Sequence, residues 1–244
     1  ENLLKDSDSL VFIIGFCNPA TVDLIRQNAN RCVILGSAPE LSGQAIEVHT
    51  DFEAGGRMIM THLLNKGHHR IAYCGDTTTG EMPGRFHAWQ AVLQENKLPA
   101  PEEYVLSSAS NYDMSDQESK VNFVRESLLH FLNLPKIPSA IFCSNDDLAS
   151  IMIQQCWQLG LQVPEDLSIC GFDGSVSDAM SALNLTTVRQ PYEEIFKTAF
   201  NLLKKQKPEK FPKVILKPEM IEGKTSAEFV ETAIRNIQQK MIVE

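Results

Sequence analysis

Residues 163–174 read V-P-E-D-L-S-I-C-G-F-D-G. Gly160 and Pro164 stop a helix, and the run Leu167 to Phe172 that follows is too short and too apolar to be another. Such a run is predicted as an inner strand of a parallel sheet, where both faces are covered and polar alternation disappears. It ends in Gly171-Phe172-Asp173-Gly174, which sets a carboxylate at the C-terminal tip of a buried strand, between glycines that let the backbone turn. In open α/β sheets ligands sit outside those carboxyl ends. Asp173 is therefore a site candidate. The plainer reading is that it caps the following turn, as Asp often does.

The rest of the chain alternates in the same way. Strands are predicted at Ser9 to Gly15, Arg31 to Gly36, Ile46 to Thr50, Arg70 to Gly75, Tyr104 to Ser107, Ala140 to Cys143 and Val214 to Leu216. Helices are predicted between them. One is opened by Asn18 and Pro19. A second is opened by Thr50 and Glu53 in a capping-box spacing, stopped by Gly67, and carries Met58, Ile59, Leu63 and Leu64 on one side. Others carry Arg85 and Trp89, run from Met114 to Leu132, start at Ser144 with S-x-x-D spacing, start at Pro191, and span Ser226 to Lys240. Strands alternating with helices predict a parallel α/β fold.

Composition narrows the function classes. The 244 residues carry a net charge of −9 and 43% hydrophobic residues, which suits a globular protein with a large core. No apolar run is long enough to span a bilayer, so no membrane partner is expected. The opening Glu1-Asn2-Leu3-Leu4-Lys5-Asp6 is polar and charged, unlike a secretory leader, and the expected location is cytoplasmic. An acidic surface argues against a broad grip on DNA phosphates, which needs clustered Lys and Arg. Cys17, Cys32, Cys74, Cys143, Cys156 and Cys170 include no C-x-x-C pair, and they read as small buried hydrophobes, with a Cys143–Cys170 pairing as the minor alternative. His62 and His68 read as helix-end or surface residues. Neither G-x-G-x-x-G, G-x-x-x-x-G-K-[ST] nor G-x-S-x-G occurs, so no cofactor, no metal and no catalytic residue is assigned.

Five stretches in order resemble the regulatory core of the LacI/GalR family of bacterial transcription regulators. They are D-F-E-A-G-G-R-M-I-M-T-H-L-L-N-K-G-H-H-R-I-A-Y-C-G (51–75), R-F-H-A-W (85–89), A-I-F-C-S-N-D-D-L-A (140–149), G-L-Q-V-P-E-D-L-S-I-C-G-F-D (160–173) and L-T-T-V-R-Q-P (185–191). The resemblance implies two Rossmann-like lobes with parallel sheets, a periplasmic-binding-protein-like fold joined by three crossovers, with an effector held between the lobes. The crossovers fall near Thr50, Gln190 and Pro212. The N-terminal lobe is then 1–50 plus 191–212, and the C-terminal lobe 51–190 plus 213–244. Family effectors are mostly sugars or sugar derivatives, sometimes purines, and the family works as dimers.

Carried over by position, Arg85 stands four residues before the aromatic Trp89, as does the family's effector-contacting arginine. Asn145 and Asp173 match its asparagine and aspartate, and Tyr112 falls near a stacking aromatic. A carboxylate, an arginine fork and an amide suit a polyol, since together they accept from and donate to hydroxyls. Each has a plainer alternative: Arg85 pairing with Asp146, Asn145 capping its helix, Tyr112 filling core. The helices opening at Asn18 and Thr50 resemble the family's dimer faces, with Met58, Ile59 and Met60 offering surplus apolar surface to a homodimer partner. No stretch matches the DNA-binding headpiece and hinge, or the first strand, first helix and second strand of the N-terminal lobe. Contact with a DNA operator is thus expected only through a headpiece absent from this chain. The expected function is effector sensing in a transcriptional regulator, and the alternative is a secreted sugar-binding protein of a transport system.

Overall fold

The computed structural model describes residues 10–14, 19–36, 38–78, 82–108, 112–175, 182–205 and 211–242. Two compact units emerge. Described residues within 1–51 and 190–218 make the first, and those within 52–78, 82–189 and 219–244 the second. Among the described residues no helix is long and apolar enough to cross a membrane.

The first unit is built on a parallel sheet. Strands β1 (Val11–Ile14), β2 (Cys32–Leu35), β3 (Ile46–Thr50) and β9 (Lys213–Leu216) lie in the order β1-β2-β3-β9. β2 is buried along its length, and its alternate residues serve different clusters. Cys32 and Ile34 pack with Val22 and Ile25 of helix α1 (Pro19–Gln27). Val33 and Leu35 pack with Ile195, Ala199 and Leu203 of helix α6 (Tyr192–Lys204). That is the period-two division of a strand covered on both faces. Asn18, the expected cap of α1, lies outside the described residues, as do 206–210 of the basic loop.

The sequence placed Lys213 onward in the second lobe, and this is corrected. β9 pairs with β3 in register, Val48 opposite Val214, so the boundary falls after Pro218 rather than near Pro212. Thr50 does not form the predicted capping box either. Its hydroxyl donates to Gln190 Oε1 at 2.7 Å, a bond across 140 residues that local spacing could not reveal.

The second unit has a parallel sheet in the order β5-β4-β6-β7, from β4 (Ile71–Cys74), β5 (Val105–Leu106), β6 (Ala140–Cys143) and β7 (Ser168–Cys170). Parallel bridges Cys170–Thr186 and Asp173–Arg189 lay β8 (Thr187–Arg189) along the other side of β7, and β8 pairs antiparallel with β10 (Glu219–Ile221). β7 is thus an inner strand. Helix α2 (Phe52–Asn65) packs on α3 (Met82–Glu95), and α4 (Gln117–Leu132) on α5 (Asp146–Gln158). Ile59 and Met60 of α2 are fully buried in this unit's own core. Of the three apolar residues expected to face a dimer partner, Ile59 and Met60 are thus internal, whereas Met58 is only partly buried against the same core.

The C-terminal helix α7 (Glu231–Ile242) begins later than predicted. Residues before it are held extended by long-range bonds: Ala227 N–H to Ser168 Oγ at 3.1 Å, and Phe229 N–H to the Lys66 carbonyl at 2.8 Å. His68, read as a helix-end or surface residue, lies just past the end of α2 but not on the surface. It is buried, with Nδ1 bonded to Ser139 Oγ at 2.9 Å and Nε2 to the Ala227 carbonyl at 3.0 Å. The strand register sets Cys143 opposite Cys74, and Cys170 opposite Phe142. Cys32, Cys74, Cys143, Cys156 and Cys170 are all free thiols, which removes the Cys143–Cys170 alternative.

Candidate functional site

Because β6 and β7 run parallel as neighbours, both deliver their next residues to the same edge of the sheet. Residues 144–146 follow one strand and 171–175 the other. Arg85 comes to that edge from α3. Four residues along the helix, Trp89 is 1% exposed and its Nε1–H donates to the Ile71 carbonyl of β4 at 3.0 Å. Side chains at i and i+4 share a helix face, so seating Trp89 on β4 turns Arg85 inward as well.

Arg85 is itself 1% exposed. Its Nη1–H donates to the Ser144 carbonyl, and its Nη2–H donates to Asp173 Oδ1 at 3.0 Å. The guanidinium carbon lies 4.0 Å from the centroid of the Phe172 ring and 5.4 Å from that of Phe52. A cation over an aromatic face is favoured, the more so away from water, and arginine's flat, weakly hydrated head suits that position.

Asp173 keeps 24% of its side chain exposed. Its N–H donates to the Val188 carbonyl at 2.9 Å, and its φ is 119°, a conformation few residues other than glycine adopt. The two flanking glycines do different things. Gly174 makes the turn, with φ 67° and a Cβ position only 2.6 Å from Arg189 Cα. Gly171 permits a close approach, since a Cβ there would stand 2.3 Å from Asp146 Oδ1. The outcome is a partly exposed carboxylate against a buried guanidinium, an overall neutral pair that offers both acceptor and donor to hydroxyl groups.

Asn145 is half-buried and serves as N-cap of α5, its Oδ1 accepting the Leu148 N–H at 2.9 Å. Its place one residue ahead of Asp146 shifts the helix start from the predicted Ser144. Tyr112 is partly buried against Phe123, ring centroids 5.0 Å apart, and its hydroxyl donates to Glu126. That bond, with burial second, raises the tyrosine's pKa. These contacts tie Tyr112 to α4. The structure thus brings Arg85 and Asp173 together, sets Asn145 on the adjoining strand tip, and leaves Tyr112 engaged elsewhere.

Two groups escaped sequence reasoning. Phe172 was read only as strand, although its ring is the surface on which Arg85 lies. Asp146 was read only as a competing partner of Arg85. Instead its Oδ1 accepts from Thr187 Oγ1 at 2.5 Å and its Oδ2 from the Ser175 N–H at 2.7 Å. Burial raises its carboxyl to about 6, opposed by those two bonds and a third from the Gly174 backbone, and aided by the charge of Asp173. Further hydroxyls stand at the tips of β4 and β5, where Thr77 Oγ1 and Ser107 Oγ are 3.1 Å apart. Among the described residues no group of three or more His, Cys, Asp or Glu side chains could hold a metal ion.

Comparison with known proteins gives a consistent set of relatives. The periplasmic binding protein-like domain family matches residues 60–226. The arabinose metabolism transcriptional repressor of Geobacillus stearothermophilus is 34% identical over 182 residues, covering 71% of this chain and 48% of that protein. The chain therefore spans about half the length of that relative. Among solved structures, a LacI transcriptional regulator from a Rhodococcus species superposes with a TM-score of 0.77 at 19% identity, covering 93% of this chain and 81% of that one. A LacI family transcriptional regulator from Enterococcus faecium with bound ribose gives 0.68 at 22% identity, covering 90% and 80%. By name these proteins are transcriptional repressors and regulators.

Proposed function

This chain belongs to the periplasmic-binding-protein-like domain family, as the effector-binding core of a LacI/GalR regulator, and on that premise we propose that it senses a small polyol at Arg85 and Asp173. The observation that carries the reading is the pair itself. A guanidinium 1% exposed and spread over Phe172 is held to a carboxylate that remains 24% exposed. Burying an ion pair is a poor way to gain stability, since apolar replacements often do as well or better. Presented to a ligand, the same pair recognises adjacent hydroxyls and rejects analogues lacking them, which would leave its polar atoms unmatched.

The effector class favoured is a free sugar or uncharged sugar derivative, because Arg85 already has its counter-charge in Asp173. The ribose in the Enterococcus faecium structure points the same way. The amide nitrogen of Asn145 and the ring face of Tyr112 are assigned further contacts. Occupancy would bias the conformation of the core and, through a DNA-binding headpiece, the affinity for an operator. Homodimers and a cytoplasmic location belong to the same proposal, two-fold operators being read by two-fold proteins. The repressor and regulator relatives favour it over a transport-type binding protein.

Calorimetric titration with free pentoses, hexoses and disaccharides tests the reading, in wild type and in Asp173→Ala. Loss of a charge-assisted bond costs about 1.5–3 kcal/mol, roughly tenfold to a hundredfold in affinity. Wild-type affinity in the variant would reduce Asp173 to a turn residue, and a panel with no binding sugar would remove the effector class.

A further inference from the structure

Asp146 is 1% exposed, and it holds the 171–175 segment at two points and β8 at a third. Its backbone N–H donates to the Phe172 carbonyl at 2.7 Å, on one side of Asp173. Its carboxylate accepts from the Ser175 N–H at 2.7 Å, on the other side. It also accepts from Thr187 Oγ1 at 2.5 Å, on the strand whose Val188 carbonyl receives the Asp173 N–H. Between these fixed points Asp173 sits at φ 119°, a conformation that persists only where its surroundings impose it.

We infer that Asp146 is the positioning residue of this site: it holds the segment 171–175 in the conformation that presents Asp173 to Arg85. Asp146 itself does not meet the ligand; it acts through Asp173. Its bearing on affinity rests on the effector reading above, but the segment can be followed without any ligand.

A pH signature accompanies the role. The charged groups around Asp146 are paired: Asp147 beside it with Lys120 of α4 at 2.6 Å, Asp173 with Arg85 of α3 at 3.0 Å, and Arg189 of β8 with Glu219 of β10 at 3.6 Å. Asp146 accepts from the Thr187 hydroxyl and from the Ser175 and Gly174 N–H groups, and none of these donors is a cation. The closed arrangement raises its carboxyl to about 6, above the ordinary 3.8, so the closed arrangement holds this proton more tightly than water would. Linkage then fixes the sign: acidification through about 6 favours the closed segment, and ionisation above it favours opening.

Amide hydrogen exchange of Ser175 and Asp173 in the ligand-free protein, corrected for intrinsic rates, reads this directly. Wild-type protection should rise as pH falls from 7.5 to 5. Asp146→Ala should lose protection about tenfold at pH 7.5, the worth of one charge-assisted bond, and more at pH 5, where wild type gains protection and the variant does not. Asp146→Asn keeps an acceptor and a donor like the protonated acid; it should restore protection and flatten the profile. Thr187→Val, which removes the strongest bond to the ionised form, should move the wild-type midpoint upward and serves if Asp146→Ala fails to fold. Equal protection in Asp146→Ala and wild type overturns the inference, as does one common pH profile in wild type and Asp146→Asn. If exchange behaves as expected but no sugar binds, the positioning role stands and the effector reading falls. If a sugar binds equally well to wild type and Asp146→Ala, the site stands and the positioning role falls.

Discussion

The tips of β6 and β7 are neighbours on one sheet edge, and they place their polar residues under different constraints. At the β6 tip Asn145 has an extended backbone and bonds the N–H three residues on, as helix caps do. Everything about that arrangement is local. At the β7 tip Asp173 occupies a left-handed conformation and meets an arginine 88 residues earlier in the chain. The first arrangement stabilises a helix. The second combines backbone strain with a buried charge, neither of which a folded sheet requires. Where two equivalent positions differ in this way, the strained one is the stronger candidate for binding.

Removing Arg85 is the largest test of that contrast. Arg85→Met would leave the Ser144 carbonyl without its donor, Asp173 without its counter-charge, and the Phe172 ring without the cation above it. Breaking a buried pair from one side costs about 3–5 kcal/mol, and the lower end applies because Asp173 still reaches water. Urea denaturation should show it, and a second change, Asp173→Asn, should return part of the loss by removing the stranded charge. An Arg85→Met midpoint equal to wild type would mean that the pair contributes nothing to the fold.

The same contrast between local and distant causes explains what the sequence could and could not reveal. Ala140 to Cys143 was legible to the residue because a strand buried on both faces reads as an unbroken apolar run. Asp173 was legible as a strand tip between glycines. That Arg85 lies over Phe172 was not, since no periodicity couples α3 to the end of β7. β9 could be seen as a strand, but its partner could not: its residues alternate between exposed and half-buried, and β3 lies about 165 residues away. β10 is three residues long directly after Pro218, and gave no pattern at all. The late start of α7 follows from His62 Nε2 bonded to Ser226 Oγ at 2.8 Å and His68 bonded to Ala227, contacts that override an amphipathic pattern.

Asn145→Ala is the second test and a smaller one. Loss of an N-cap side chain costs typically about 1 kcal/mol, whereas Asp caps as well as Asn. Asn145→Asp should therefore recover the stability lost in Asn145→Ala, both measured by thermal melting. The two variants also divide the roles of this residue. If sugar affinity follows melting temperature, capping is all that Asn145 does. If Asn145→Asp melts like wild type yet loses affinity, its amide nitrogen faces the ligand, and the tip of β6 joins that of β7 as part of the site.

Tyr112→Phe should have the smallest effect. The hydroxyl donates to Glu126 at the exposed surface, and an exposed bond of that kind contributes a few tenths of a kcal/mol, about the limit of ordinary surface substitutions. The ring stays packed 5.0 Å from Phe123 in the variant, so a stacking contact with a sugar would survive as well. Affinity within about twofold of wild type is the expected result in calorimetric titration, a change of less than roughly 0.5 kcal/mol. Tyr112→Ala then isolates the ring. A further loss in affinity from Phe to Ala, at equal melting temperature, would place the aromatic face against the ligand. A tenfold loss already in Tyr112→Phe would instead show the hydroxyl leaving Glu126 to meet the effector, and the local pairing on α4 would be only the ligand-free arrangement.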